Sequence, residues 1–226
     1  DHLQFLESLI LFENDDYKHY KGRAQGTAVR INLKAENNAT TIVNLPTGTG
    51  KTLIAHALSL CEKNKLTLVI VPTTALAIDQ GKRAEKTLGI NGDGCYFWHG
   101  SQEQSIHSVI KSKIRGGTQK ILFASPEACC KSFCMPLFDA AKNDLIGSII
   151  FDEAHMVVEW GDEFRPYYQL MGALVASLRQ ESKMGIKTCL MTATLTESTL
   201  QVLKDSFSFK DKNINININI APVEVH

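Results

Sequence analysis

Residues 40–61 read TTIVNLPTGTGKTLIAHALSLC. The β-branched run from Thr40 to Val43 suits a strand, and the stretch from Lys51 to about Cys61 suits a helix. Between them lies the turn Leu45-Pro46-Thr47-Gly48-Thr49-Gly50. Gly48 and Gly50 permit a tight nest of backbone N–H groups, the geometry that cradles a β-phosphate. Lys51 adds a point charge for phosphate oxygens, Thr52 a hydroxyl for Mg²⁺, and the helix N-terminus its dipole. The strand–turn–helix setting separates this pattern from a chance match. Thr47, Gly48, Thr49, Gly50, Lys51 and Thr52 are therefore the candidate nucleotide-binding residues.

A second stretch, residues 148–168, reads SIIFDEAHMVVEWGDEFRPYY. The apolar run Ile149-Ile150-Phe151 ends on two adjacent carboxylates, Asp152 and Glu153. A buried parallel strand that delivers acids at its C-terminal end presents ligands for Mg²⁺ and for an attacking water. Asp152 would hold the metal with Thr52, Glu153 would polarise the water, and His155 would enter the loop just beyond. With Lys51 these are the candidate catalytic residues; taken alone, paired acids after an apolar run also suit an ordinary strand end.

Working outward, apolar runs at Leu66–Val71, Cys95–Trp98, Ile121–Ala124 and Thr188–Met191 are expected to be further strands. Helices are expected after Gln25, after Thr74, over about 102–114, over 168–178 and over 196–207. A short amphipathic helix is expected over residues 3–12. Alternation of strand and helix implies an α/β fold, a mostly parallel sheet with helices on both faces. The expected domains are a helical lead-in (residues 1–19), one α/β domain (20–208) and a tail or linker (209–226). That tail alternates Asn and Ile from 213 to 220, which suits an edge strand, a linker or an aggregation-prone end.

Composition narrows the partners. Among 226 residues, 24 Lys and Arg balance 24 Asp and Glu, so no global field draws in nucleic acid. Contact with DNA must come from local groups: Lys82, Arg83 and Lys86, then Lys111, Lys113 and Arg115, and Arg165. Each cluster also suits a solvated helix face. The six cysteines show no CxxC spacing, which argues against a zinc site. No signal peptide and no membrane-length apolar run is visible, so a cytoplasmic setting is expected, nucleoid-associated in a bacterium or nuclear in a eukaryote.

After the acids, Trp160, Phe164, Tyr167 and Tyr168 interleave with Asp162, Glu163, Arg165 and Pro166. Aromatic faces stack on unpaired bases, and arginine pairs with phosphate. The segment resembles the RecQ-like branch of superfamily-2 DNA helicases, in which a DEAH box is followed by a Trp-Gly-x-x-Phe-Arg-Pro-x-Tyr loop. Here Trp160-Gly161, Phe164-Arg165-Pro166 and Tyr168 stand at the matching places. Asp162 departs from the pattern, since those enzymes usually place a His there. The form Pro46-Thr47-Gly48-Thr49-Gly50-Lys51-Thr52 is also that of superfamily-2 helicases.

The resemblance covers most of residues 20–195 and implies the first RecA-like P-loop NTPase lobe of such a helicase. It implies ATP and Mg²⁺ as cofactors and Gln25 as the residue that recognises adenine. It implies DNA-backbone contacts from Pro72, Thr73 and Thr74 and from Ser125, Pro126 and Glu127. DNA sensing falls to Trp160, Phe164, Arg165 and Tyr168, and coupling of the two sites to Thr192, Ala193 and Thr194. The implied partners are single-stranded or partly duplex DNA, a second RecA-like lobe and a larger complex, with no membrane. Movement would run 3′ to 5′. These residues alone are expected to bind ATP–Mg²⁺ weakly and hydrolyse it little, because a second lobe supplies an arginine finger. Two other readings remain open: a DEAH-type RNA helicase lobe, and an ATP-sensing assembly module that does not unwind.

Overall fold

Strands Thr40–Asn44 (β1), Leu66–Ile70 (β2), Ile121–Ala124 (β3), Ile146–Phe151 (β4), Lys187–Thr192 (β5) and Ile218–Ala221 (β6) form one sheet. Its order is β3-β2-β4-β5-β1-β6, and every adjacent pair is parallel. The computed structural model describes residues 20–88, 94–156, 165–207 and 218–221. The expected helix at 3–12, the loop residues Trp160 and Phe164, and the tail before Ile218 lie outside the described residues.

The helices are Arg23–Lys34 (α1), Thr52–Cys61 (α2), Thr74–Thr87 (α3), Gln104–Arg115 (α4), Pro126–Lys131 (α5), Cys134–Lys142 (α6), Arg165–Glu181 (α7) and Glu197–Phe207 (α8). Strand residues alternate between two cores, because successive side chains leave opposite faces of a sheet. Val69, Phe123, Ile150 and Met191 pack with α1, α2 and α3. Leu68, Ile70, Leu122, Ile149, Phe151 and Leu190 pack with α4 to α8. The doubly covered parallel sheet expected from the sequence is thus present.

Several elements differ in detail. Cys95–Trp98 is not a full strand: it makes one parallel bridge, Phe97 to Phe123. Tyr96 O and Trp98 N make the bonds to Phe123, and side-chain amides hold other carbonyls of the segment. Gln119 Nε2 donates to Cys95 O, and Gln102 Nε2 to Gly94 O and Phe97 O. Cys129, Cys130 and Cys134 lie on two short helices, α5 and α6, separated at Ser132–Phe133. Gln25 lies inside the first turn of α1 rather than before it, and the buried apolar stripe of that helix is Ala24, Ala28 and Val29. Of the three options for the tail, Ile218–Ala221 takes the strand, beside β1 at the edge of the sheet.

The N-terminal rim of the sheet is tied by polar side chains. Arg179 is buried and donates to Ile186 O, Ala39 O, Thr40 Oγ1 and Thr188 Oγ1. Glu62 accepts from Ser148 Oγ at 2.7 Å and pairs with Lys187 Nζ at 3.2 Å. Parallel pairing sends every strand's C-terminal end to the opposite rim, where ligands bind in sheets of this kind.

Candidate functional site

At the C-terminal rim, β1 runs into the glycine turn. Leu45 N donates to Thr192 O at 3.0 Å, which extends the β1–β5 ladder into the turn. Gly48 and Gly50 have φ of +84° and +80°, the left-handed region where a side chain is strained. Beside Gly48 a Cβ would meet nothing within 4 Å, so conformation and not space demands glycine there. At Gly50 a Cβ would also run into Gln25 Nε2. Thr49 folds back inside the turn, its hydroxyl donating to Pro46 O at 2.7 Å. Lys51 follows at the α2 N-cap, and Thr52 is the first residue of the helix.

Lys51 is buried, and its Nζ donates to Leu45 O at 3.2 Å. The same Nζ lies 3.7 Å from Glu153 Oε1. Glu153 reaches this position through a left-handed backbone (φ +51°) immediately after β4, uncommon for a residue with a side chain. Its backbone N–H donates to Asp152 Oδ1 at 3.1 Å. Asp152 N donates to Ile70 O, and Ala154 N to Met191 O, so both sides of the acidic turn are pinned to neighbouring strands. His155 Nδ1 lies 3.4 Å from Glu153 Oε2 and 3.1 Å from Thr192 Oγ1. The Thr192 hydroxyl donates to Thr194 O at 2.7 Å, closing the loop that also holds Ala193. Lys51, Glu153, His155 and Thr192 thus form one connected set across three strand ends.

Gln25 faces this turn. Its Nε2 donates to Gly50 O at 3.0 Å, and its Oε1 accepts from Lys21 N at 2.7 Å. Both ends of the amide are engaged with the chain's own backbone. Thr47, Gly48 and Thr49 line, with Lys21, Gly22, Ala24 and Gln25, a cleft of about 330 Å³.

The residues expected along the nucleic-acid path divide by exposure. Thr73 and Thr74 are exposed at the start of α3, while Pro72 is buried. Ser125 is half-buried and Glu127 exposed at the start of α5, while Pro126 is buried. Burial gives the two prolines a turn-shaping place beside the exposed Thr73, Thr74 and Glu127. Thr73 Oγ1 accepts from Leu76 N and Ser125 Oγ from Ala128 N, so both hydroxyls cap helices. Arg165, Pro166 and Tyr168 lie in the first turn of α7. Tyr167 in that turn stands under Lys131, whose Nζ is 5.1 Å from the ring centroid and 2.8 Å from Glu127.

Four members of the basic clusters have partners within the domain. Arg83 pairs with Asp79, Lys111 lies over Trp98, Lys113 over Tyr96, and Arg115 pairs with Asp139. Two residues at the site carry contacts that sequence reasoning missed. Lys21 Nζ donates to Gly48 O at 3.2 Å, and Gln80 Nε2 to Asp152 Oδ2 at 2.8 Å. Their partners lie 27 and 72 residues away in the sequence.

The chain is 31% identical over 192 residues to the ATP-dependent DNA helicase RecQ of Haemophilus influenzae, covering 85% of this chain and 29% of that protein. It is 32% identical over 170 residues to the ATP-dependent DNA helicase Q-like 5 of Arabidopsis thaliana, covering 74% of this chain and 17% of that one. The chain therefore spans less than a third of the length of either relative. Among solved structures, the DUF1998 helicase MrfA bound to DNA and AMPPNP superposes with a TM-score of 0.66 at 17% identity, over 88% of this chain and 26% of that chain. The Pyrococcus furiosus Hef helicase domain gives 0.61 at 18% identity, over 88% and 38%. At these identities the likeness shows the fold, which is RecA-like. The family description "DEAD/DEAH box helicase" matches residues 23–203, from the first turn of α1 into α8. This chain belongs to the DEAD/DEAH box helicases.

Proposed function

We propose that residues 20–208 are the nucleotide-binding motor lobe of a RecQ-like DNA helicase that couples ATP hydrolysis to movement along single-stranded DNA, 3′ to 5′ by resemblance. The observation that carries this reading is the meeting of Lys51 and Glu153, from two strand ends, 3.7 Å apart at one rim. The donor set fits a nucleoside triphosphate with a divalent cation: a glycine turn, a buried ammonium, a hydroxyl and two carboxylates. ATP–Mg²⁺, when bound, supplies the phosphoanhydride bond whose hydrolysis drives the motor.

The chain's own residues divide the remaining work. Gly48 and Gly50 hold the turn in the conformation that aims N–H groups inward, and Lys51 offers its charge beside them. Thr52 and Asp152 offer a hydroxyl and a carboxylate to the metal. Glu153 orients water and accepts its proton, while His155, itself held by Thr192, stands beside the Glu153 side chain. Gln25 braces the turn and, with Lys21, borders the cleft in which a base would lie. Thr73, Thr74, Ser125 and Glu127 face the nucleic acid, and Trp160, Phe164, Arg165 and Tyr168 sense it. The names of the relatives, DNA helicases of the RecQ type, favour DNA over RNA. A second RecA-like lobe completes the motor.

The test is ATP turnover by the two-lobed protein with single-stranded DNA or single-stranded RNA added. Stimulation by DNA alone supports the proposal. Equal stimulation by RNA favours an RNA helicase, and no stimulation by either leaves a nucleotide switch; both results overturn it.

A further inference from the structure

Gln80 lies in the second turn of α3, buried to 8% exposure, with its amide nitrogen 2.8 Å from Asp152 Oδ2. Asp152 is itself only 7% exposed, and its other oxygen accepts from Glu153 N. The carboxylate is therefore held by two donors: its own turn's backbone and a side chain from a helix 72 residues upstream. The placement of α3 leaves this amide little freedom. Ala77 and Ala84 are buried on the sheet, and a Cβ on Gly81 would stand 2.7 Å from Phe97 Cβ.

A buried amide is tolerated only where it finds a partner, and simple packing would be served by an apolar residue. The kind of donor is also informative. A lysine or arginine at position 80 would neutralise the carboxylate, whereas a neutral amide orients it and leaves its full charge for a cation. An ionised carboxylate with two donors still has lone pairs to offer.

We propose that Gln80 is a positioning residue for Asp152, fixing the carboxylate that receives the nucleotide-bound Mg²⁺. The assignment rests on the nucleotide-site reading above. Gln80 touches neither substrate nor metal and acts through Asp152. It also hangs the metal-holding carboxylate on the same helix that begins at the exposed Thr73.

The experiment is titration of this chain with a fluorescent ATP analogue at graded Mg²⁺ concentrations and again in EDTA. Gln80→Met keeps the length and apolar stem and removes the donor; Gln80→Glu keeps the length and sets a second carboxylate against Asp152. A thermal melt accompanies each variant. The expected result is a rise of about tenfold in the Mg²⁺ needed for half-maximal binding for Gln80→Met, and at least as large a rise for Gln80→Glu. Binding in EDTA should stay within about twofold of the unsubstituted chain, a split that loss of packing alone would not produce. An unchanged Mg²⁺ requirement in Gln80→Met overturns the inference, as does an equal loss with and without Mg²⁺. Lys51→Ala separates the two readings by losing affinity in both arms. If the unsubstituted chain binds no nucleotide in either arm, the nucleotide-site reading falls and this inference with it.

Discussion

Lys51 Nζ and Glu153 Oε1 stand 3.7 Å apart, so the ammonium of the glycine turn already has an anion beside it. A phosphate entering the turn competes with Glu153 for that charge. Glu153→Gln preserves shape and removes the competitor. Nucleotide affinity, read by calorimetric titration, should hold or rise severalfold. Turnover by the two-lobed protein should fall by about 10²-fold or more, the usual effect of losing a general base. Normal turnover in this variant would show that Glu153 is not the group that handles water.

Thr192 joins the acidic turn to the loop after β5: its hydroxyl meets His155 Nδ1 at 3.1 Å and Thr194 O at 2.7 Å. Thr192→Val keeps the β-branched shape and breaks both contacts. Nucleotide affinity should change less than about twofold, while DNA-stimulated turnover should drop by roughly tenfold, in line with loss of an orienting partner. Parallel loss of basal and stimulated rates would instead place Thr192 in folding alone.

Thr73 and Ser125 cap α3 and α5, so alanine at either position removes a cap and a candidate phosphate contact together. Aspartate separates the two. Alanine should lower stability by about 1 kcal/mol, whereas Ser125→Asp should keep the cap yet repel a phosphate backbone. The expectation is a normal melting temperature with weakened, less salt-sensitive single-strand binding, since salt screens the new repulsion. Unchanged DNA affinity in Ser125→Asp would remove Ser125 from the nucleic-acid path.

His56 is buried in α2, and burial lowers its pKa from 6.5 to about 4. The unfolded chain takes up that proton first as pH falls. The contribution of neutral His56 is therefore fully present above pH 6.5 and is lost on descent toward pH 4. Linkage puts the loss at about 3 kcal/mol. Melting temperatures of the chain and of His56→Leu, followed from pH 7 to pH 4, should diverge in slope, the variant being flatter. Equal slopes would mean that His56 is protonated in the folded state as well.

Much of this architecture was legible because its signals are local. Two glycines before a lysine, a β-branched run before them and an apolar run ending on two acids each declare their role within a few residues. The rest depended on distant partners. Cys95–Trp98 has the composition of a strand, but it meets β3 only through the Phe97–Phe123 bridge, and amides of Gln119 and Gln102 hold Cys95 O and Phe97 O. Pro72 and Pro126 sit in turns that resemble contact loops, yet packing buries both. Lys111 and Lys113 read as a basic patch, but the rings of Trp98 and Tyr96 beneath them come from a segment the pattern of charges does not reveal. Gln80 gave no local sign of this role, since its partner Asp152 lies 72 residues on, just past the end of β4.

The parallel order of the sheet also divides the molecule's vulnerabilities. Lys51, Glu153, His155 and Thr192 crowd one rim, while Arg179, Glu62, Ser148 and Lys187 lash the other. Damage at the first rim should leave a folded but idle protein; damage at the second should leave intact chemistry in a protein that is cleared before it can work. Sequence drift along the chemical rim can therefore retune the motor without dismantling its frame.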